Sequence, residues 1–427
     1  MPSLLRKKKK KESWFKYMFS VAHLWLGLAS SLVLFVVCLT GTILVFEEPI
    51  KHAINAEVRH VEPGPDRKTT DQLLALYTDQ FDLAPGTITV PDAEDQAVHF
   101  FAFDRQSGER ISVYANPYTG EFLGSENEAA MTFFSTTLRL HRWLLVQGTG
   151  KAIVGVCTII FLFMLLSGII LWWPGGKREL KNGLTIKWRG NAYRINYDLH
   201  NVLGFYAMIG LFFIAATGLF FAYPSVRDGL RLALGGEIEQ TQRSEGQQRA
   251  GADRQAKENK KSGSKRSSRE KKSGKKESTS NILEQGLAEV RKQLPYSSDI
   301  RISLPGRRSN GYRFQKYNTS NMLGARLPEY VEIDDQGKVL GTQLYRDLPA
   351  DRKVTSIIKP LHTGEIMGWP SMILYFILCL IGTSLPVTGF IIWLKRDAKK
   401  KKHQARKNHI PKIQMEQKPL HAEASVS

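Results

Sequence analysis

The sequence predicts a membrane α-helical four-span bundle carrying two small α+β domains on one side of the membrane, built as an internal duplication of span, domain, span. Three observations predict it. Four apolar runs are long enough to cross a bilayer, basic stretches fall at alternate ends of those runs, and two histidine–glycine templates are each written twice.

A helix needs about 20 apolar residues to cross the hydrocarbon of a bilayer. Runs of that kind occupy Val21–Phe46, Ala152–Trp173, Leu203–Tyr223 and Ser371–Leu394. The first follows a polybasic stretch, but it is too long for the apolar part of a signal peptide and no A-x-A-like cleavage site follows it, so it is expected to remain as an anchor. Trp172, Trp173 and Trp393 end their runs, where indole rings favour the lipid–water interface.

The net charge of +20, from 60 Lys and Arg against 40 Asp and Glu, is concentrated in three stretches. Arg6–Lys11 holds six bases, Lys395–Lys407 eight against one acid, and Gln240–Ser280 thirteen against five. A duplex-binding protein spreads its bases over a folded face. These are tails and a low-complexity tract, so nucleic acid is not expected as a partner. The loop Gly175–Asp198 adds six bases against two acids, and Lys and Arg near span ends mark the cytoplasmic side. Four spans then place both termini and this loop in the cytoplasm.

The expected order is a basic cytoplasmic tail (1–13), a first span (14–46), an outer domain (47–140), an outer histidine segment with the second span (141–173) and a cytoplasmic loop (174–198). A third span (199–223), a second outer domain (224–360), a second histidine segment with the fourth span (361–394) and a basic cytoplasmic tail (395–427) follow. Within the second domain the tract 240–280 has no aromatic or large aliphatic residue. It cannot offset the entropy of folding, so it reads as a disordered insertion.

The duplication is visible in fixed spacings. His23, Leu26, Gly27, Thr40 and Gly41 recur as His200, Leu203, Gly204, Thr217 and Gly218. Leu140-His141 precedes Gly168 and Trp172 by the same intervals, 27 and 31 residues from the histidine, that separate Leu361-His362 from Gly389 and Trp393. Each outer segment carries a helical stretch, Thr70–Phe81 or Asn281–Leu294, and then alternating strands about a glycine turn at 113–124 or 331–342.

The three cysteines, Cys38, Cys157 and Cys379, lie inside apolar runs and no C-x-x-C-H motif occurs, so any haem is b-type, held without covalent attachment. A polar residue at membrane depth is a functional candidate by default. His23 and His200 begin outward-running helices; His141 and His362 precede inward-running ones. Two histidines at one depth on neighbouring helices can ligate one haem iron from its two faces, and the chain supplies this twice. The plainer reading is four interfacial histidines with wet polar tips.

At 100° per residue an offset of 18 is five whole turns, so His23 shares a face with Gly41, and His200 with Gly218, leaving room for a helix or a flat macrocycle. Glycines and a proline after His141 and His362 predict a helix break before each span. Zinc competes, but its structural sites favour four close ligands that usually include cysteine. His52, His60 and His99 are the other outer-side candidates, and His52 is the possible substitute for His141 or His362. Gly148-Thr149-Gly150-Lys151 resembles part of a nucleotide loop, but no strand precedes it.

The openings A-H-L-W-L-G from Ala22 and L-H-N-V-L-G from Leu199, the T-G span ends, L-H-R-W and L-H-T-G before the inward spans, and the N-P-Y-T-G and D-D-Q-G turns together resemble the PepSY-associated transmembrane family over most of 14–397. Its members include iron-regulated inner-membrane proteins and ferric-siderophore reductases. The resemblance implies two PepSY-like periplasmic domains and haem b, two per chain, bound in a bacterial inner membrane by His23, His200, His141 and His362. It implies ferric siderophores or other iron chelates as partners, alongside the lipid bilayer and an electron donor that the sequence does not identify. The chain departs from the family with Leu24 before Trp25, where arginine is common, and with Asn201 after His200. Arg142 then stands as a candidate for a haem propionate, and Arg307–Tyr317 as a candidate chelate surface. The contrasting expectation is a non-redox PepSY module that binds or regulates a periplasmic partner such as a peptidase.

Overall fold

A computed structural model describes residue 8 and residues 12–104, 110–237, 281–305, 311–321 and 324–408, the last twelve of these by backbone alone. The basic tract 240–280, most of the run 6–11 and residues 307–310 of the candidate chelate surface lie outside the described residues.

Among the described residues, four helices are long and apolar enough to cross a membrane: Trp14–Leu44 (α1), Gly150–Trp172 (α6), and the stretches Ala192–Ala222 and Trp369–Arg396. Hydrocarbon offers backbone groups no partner, so a spanning segment must satisfy its own amides, as a helix does. The third stretch is composite. It runs as Ala192–Asp198 (α8), a π-helical turn at Leu199–Leu203 and Gly204–Ala222 (α9). The fourth continues as Trp369–Asn408 (α13).

The chain divides into two compact units. The first, residues 1–39, 156–215 and 377–427, holds one end of each spanning stretch. Its large side chains turn outward, as a lipid-facing surface requires, with Leu32, Ile159, Phe213 and Leu380 exposed. Inside, Leu165, Ala207, Leu211 and Leu378 pack together. Glycines let helices approach: a Cβ on Gly210 would lie 2.4 Å from Leu378 Cδ1, and one on Gly27 2.6 Å from Met164 Cε.

The second unit, residues 40–155 and 216–376, contains the α+β part. In its first segment, after the short helices Glu47–Ile54 (α2) and Ala56–Arg59 (α3), comes Thr70–Gln80 (α4). Strands Thr87–Val90 (β1), Val98–Phe103 (β2), Arg110–Ala115 (β3) and Phe122–Ser125 (β4) follow. In the second, Pro224–Ala233 (α10) and Ile282–Gln293 (α11) precede Ile300–Ser303 (β5), Tyr312–Asn318 (β6), Leu327–Ile333 (β7) and Val339–Gln343 (β8). Helices α4 and α11 and the strand pairs β3–β4 and β7–β8 fall where the residue pattern predicts them, and β1, β2, β5 and β6 add to that expectation.

The two strand sets are one antiparallel sheet, in the order β4-β3-β2-β1-β5-β6-β7-β8. The joint is β1 on β5, where Ile88 faces Ile302 and Val90 faces Ile300. Alternation within either segment does not disclose this joint, because it specifies which face of a strand is buried and not which edge is paired. One core serves both segments: Leu73, Tyr77, Ile88 and Phe100 pack with Leu283, Leu287, Ile302 and Phe314.

Helices α4 and α11 also cap each other. The Asp71 carboxylate accepts the backbone N–H groups of Leu283 (3.1 Å) and Glu284 (2.9 Å), while Glu284 Oε2 accepts that of Thr70 (3.1 Å). Each acid thus satisfies exposed donors at the positive end of the other helix.

His99 sits on β2, sharing a 2.8 Å hydrogen bond with Ser112 and stacking on Tyr114. Burial, reinforced by Arg59, Arg301 and Arg110 and opposed by Glu126, holds its pKa at about 4. An unfolded histidine titrates near 6.5. Between those values the unfolded chain holds the extra proton, so the stability His99 allows is present above about pH 6.5 and is lost toward pH 4, by about 3 kcal/mol. The thermal midpoint of His99→Gln is therefore expected to fall less between pH 7 and pH 4.5 than that of the natural protein; equal falls would assign the acid sensitivity elsewhere.

Candidate functional site

Each of the four histidines is tied through Nδ1 to a hydroxyl on another helix. In the first unit, His23 on α1 lies with Nδ1 2.8 Å from Ser167 Oγ on α6, and His200 lies with Nδ1 2.9 Å from Thr388 Oγ1 on α13. The two imidazoles are within electrostatic reach of one another.

His200 occupies the π-helical turn, a feature that often marks a functional position in a helix. That turn is held from both sides. Asn196 Nδ2 donates to Thr388 O (3.0 Å), and buried Asp198 accepts from Arg194 Nε (2.9 Å) and from Lys187 N (3.2 Å).

In the second unit, His141 lies near the C-terminus of Glu128–Trp143 (α5), and His362 near the C-terminus of Ala350–Thr363 (α12). The chain breaks after each, at Leu144 and Leu145 (φ 55° and 57°) and at Gly364 (φ 83°). The next helices begin only at Gly150 and Trp369. The glycines and proline predicted these breaks. Helix α5 is positioned by Asn127, whose side chain caps Ala130 N at 2.9 Å and whose N–H donates to Asn55 Oδ1 at 2.6 Å. Nδ1 of His141 is 3.1 Å from Thr40 Oγ1, and Nδ1 of His362 is 3.0 Å from Thr217 Oγ1. The two rings face each other with centres 6.4 Å apart and planes inclined at 55°.

These contacts change the role of the glycines. A π turn interrupts the helix between His200 and Gly218. Gly218 receives His362: a Cβ there would lie 3.3 Å from Cε1 of that ring. Gly389 likewise makes room for His200 at 3.2 Å, while a Cβ on Gly168 would meet His23 at an ordinary contact distance of 3.7 Å.

The donor set fits a bis-histidine iron site. A histidine tied through Nδ1 presents Nε2 to a metal, the usual division of labour between the two ring nitrogens. Metal–nitrogen bonds of about 2.0 Å on both sides of one ion, with ring centres about 1.1 Å further out, would place the centres about 6.2 Å apart. The His141–His362 separation matches that span.

His52 is exposed on α2, and His60 is an exposed partner of Asp95 at 3.6 Å. Among the described residues no group of three or more His, Cys, Asp or Glu could hold a metal ion. Arg142 lies over the Trp143 ring, 5.3 Å from its centre. Of the candidate chelate surface, Tyr312–Tyr317 lies in β6, where Arg313 is paired with Glu332.

Fold and site together define a multi-pass membrane protein with paired, hydroxyl-tethered histidines. The chain belongs to the family described as the PepSY-associated TM region, which it matches over residues 20–396. No curated protein matches it.

Proposed function

We propose that this chain is a b-type haem protein of a bacterial inner membrane, with both termini cytoplasmic, that passes electrons across the membrane to reduce ferric siderophores or other ferric chelates in the periplasm for iron acquisition. The observation that carries the reading is the matched tethering of His23, His200, His141 and His362, with His141 and His362 at a spacing suited to one iron. Membership of the PepSY-associated family supports it, as does the sequence's resemblance to ferric-siderophore reductases in the motifs that hold the four histidines.

His23 and His200 would hold one haem and His141 and His362 the other. Haem b, when bound, supplies one-electron redox chemistry at iron. The protein's part is to orient four imidazoles and to surround them with packed helices. Bases at Lys395–Lys407 and in the loop Gly175–Asp198 support the orientation, because such residues stay on the cytoplasmic side. The repeated spacings and the matching strand sets support a duplicated span–domain–span origin.

The test is a pyridine haemochrome assay on the purified chain with metal analysis alongside. A red protein with a reducible b-type spectrum and two haems per chain is expected. A colourless protein free of iron would overturn the reading in favour of a non-redox module acting on a periplasmic partner. A reporter active only in the periplasm, fused after Ser427, is expected to stay silent; activity there would reverse the orientation.

A further inference from the structure

We infer that Ser167 and Thr388 are positioning residues that fix His23 and His200 in the tautomer carrying its proton on Nδ1, so that each offers an unprotonated Nε2 to a metal. The use of that Nε2 rests on the haem reading above; the tautomer itself does not.

The argument is an accounting of protons. A hydroxyl has one proton to give. Ser167 Oγ gives its proton to Met164 O, 3.1 Å away in its own helix. Thr388 Oγ1 faces Ser384 O at 2.9 Å and Leu385 O at 3.1 Å, so its proton also goes to the helix backbone. Each oxygen is then left as an acceptor toward the imidazole nitrogen beside it, and Nδ1 must be the donor. A neutral imidazole carries one N–H, so Nε2 keeps its lone pair. Ser167 is fully buried and Thr388 nearly so, which leaves water little access to either hydroxyl.

The residue after each hydroxyl completes the seat. A Cβ on Gly389 would crowd Cε1 of His200 at 3.2 Å, while one on Gly168 would meet Cε1 of His23 at an ordinary contact distance of 3.7 Å. Thr217-Gly218 with His362 repeats the step at Gly389, and Thr40 holds His141 by the same kind of hydroxyl contact. All four tethers stay within residues 14–172 or within 192–396, whereas the two histidine pairs join one of these stretches to the other. Each half of the chain therefore builds its own two ligand seats, and a shared iron would join a seat of one half to a seat of the other.

The test compares Ser167→Ala and Thr388→Val with the hydroxyl-retaining Ser167→Thr and Thr388→Ser, all in the full-length chain. Solid-state 15N spectra of histidine-labelled protein, prepared without haem, read the tautomers. Each hydroxyl-free variant is expected to gain an Nε2–H signal worth one histidine, and each hydroxyl-retaining variant to match the natural protein. In haem-loaded protein the hydroxyl-free variants should shift the midpoint of one haem and weaken its binding about 10-fold or more, leaving the other unmoved. Unchanged tautomers in Ser167→Ala and Thr388→Val would overturn the inference whatever the haem content. A natural protein without haem, whose tautomer still moves in these variants, would sink the haem reading and leave this inference standing.

Discussion

Replacing His23 or His200 with alanine is expected to remove the same haem, and combining the two replacements to remove no more. One iron bound between two imidazoles needs both, so the effects of the single changes cannot add. The pyridine haemochrome yield should fall from two haems per chain to one in each single variant and remain at one in the double. His141→Ala and His362→Ala should behave likewise toward the other haem. Joining a change from each pair, as in His23→Ala with His362→Ala, should leave none. The ring spacing of 6.4 Å between His141 and His362 makes the second pair the sharper case, because it is close to the separation a shared iron would require. If all four single variants retain a full complement, the pairing is wrong and the histidines revert to interfacial residues.

The spans and the four histidines were legible because their signals are local or repeated. Apolar length alone marks a spanning helix, and the intervals from His141 to Gly168 and from His362 to Gly389 agree residue for residue. The seats of His23 and His200 were half legible. Gly168 and Gly389 stood out by spacing, but the hydroxyls of Ser167 and Thr388 did not, since such a residue in an apolar helix usually bonds only its own backbone. Their signal was the parallel with Thr40-Gly41 and Thr217-Gly218: a hydroxyl residue precedes the glycine in all four spans. The π turn around His200 has no comparable mark. Residues 199–203 read as helix, and the contact of neighbouring Asn196 with Thr388 lies 192 positions away in the sequence.

The sheet poses a different problem, because its decisive contact joins residues more than 200 positions apart: Ile88 of β1 against Ile302 of β5. Both side chains are fully buried in a core that also contains Tyr77 and Phe100 of one segment and Leu287 and Phe314 of the other. Ile302→Ala should therefore cost about 2–5 kcal/mol, the usual range for emptying such a site. More tellingly, the loss should be felt by both segments, because Asp71 and Glu284 couple the helix starts while β1 and β5 couple the strands. Amide hydrogen exchange in detergent reads this directly. Protection should fall together across β2 and β3 and across β6 and β7, as for one cooperative unit. Faster exchange confined to residues 300–343, with 87–125 unchanged, would show two independently folding domains that merely share an edge.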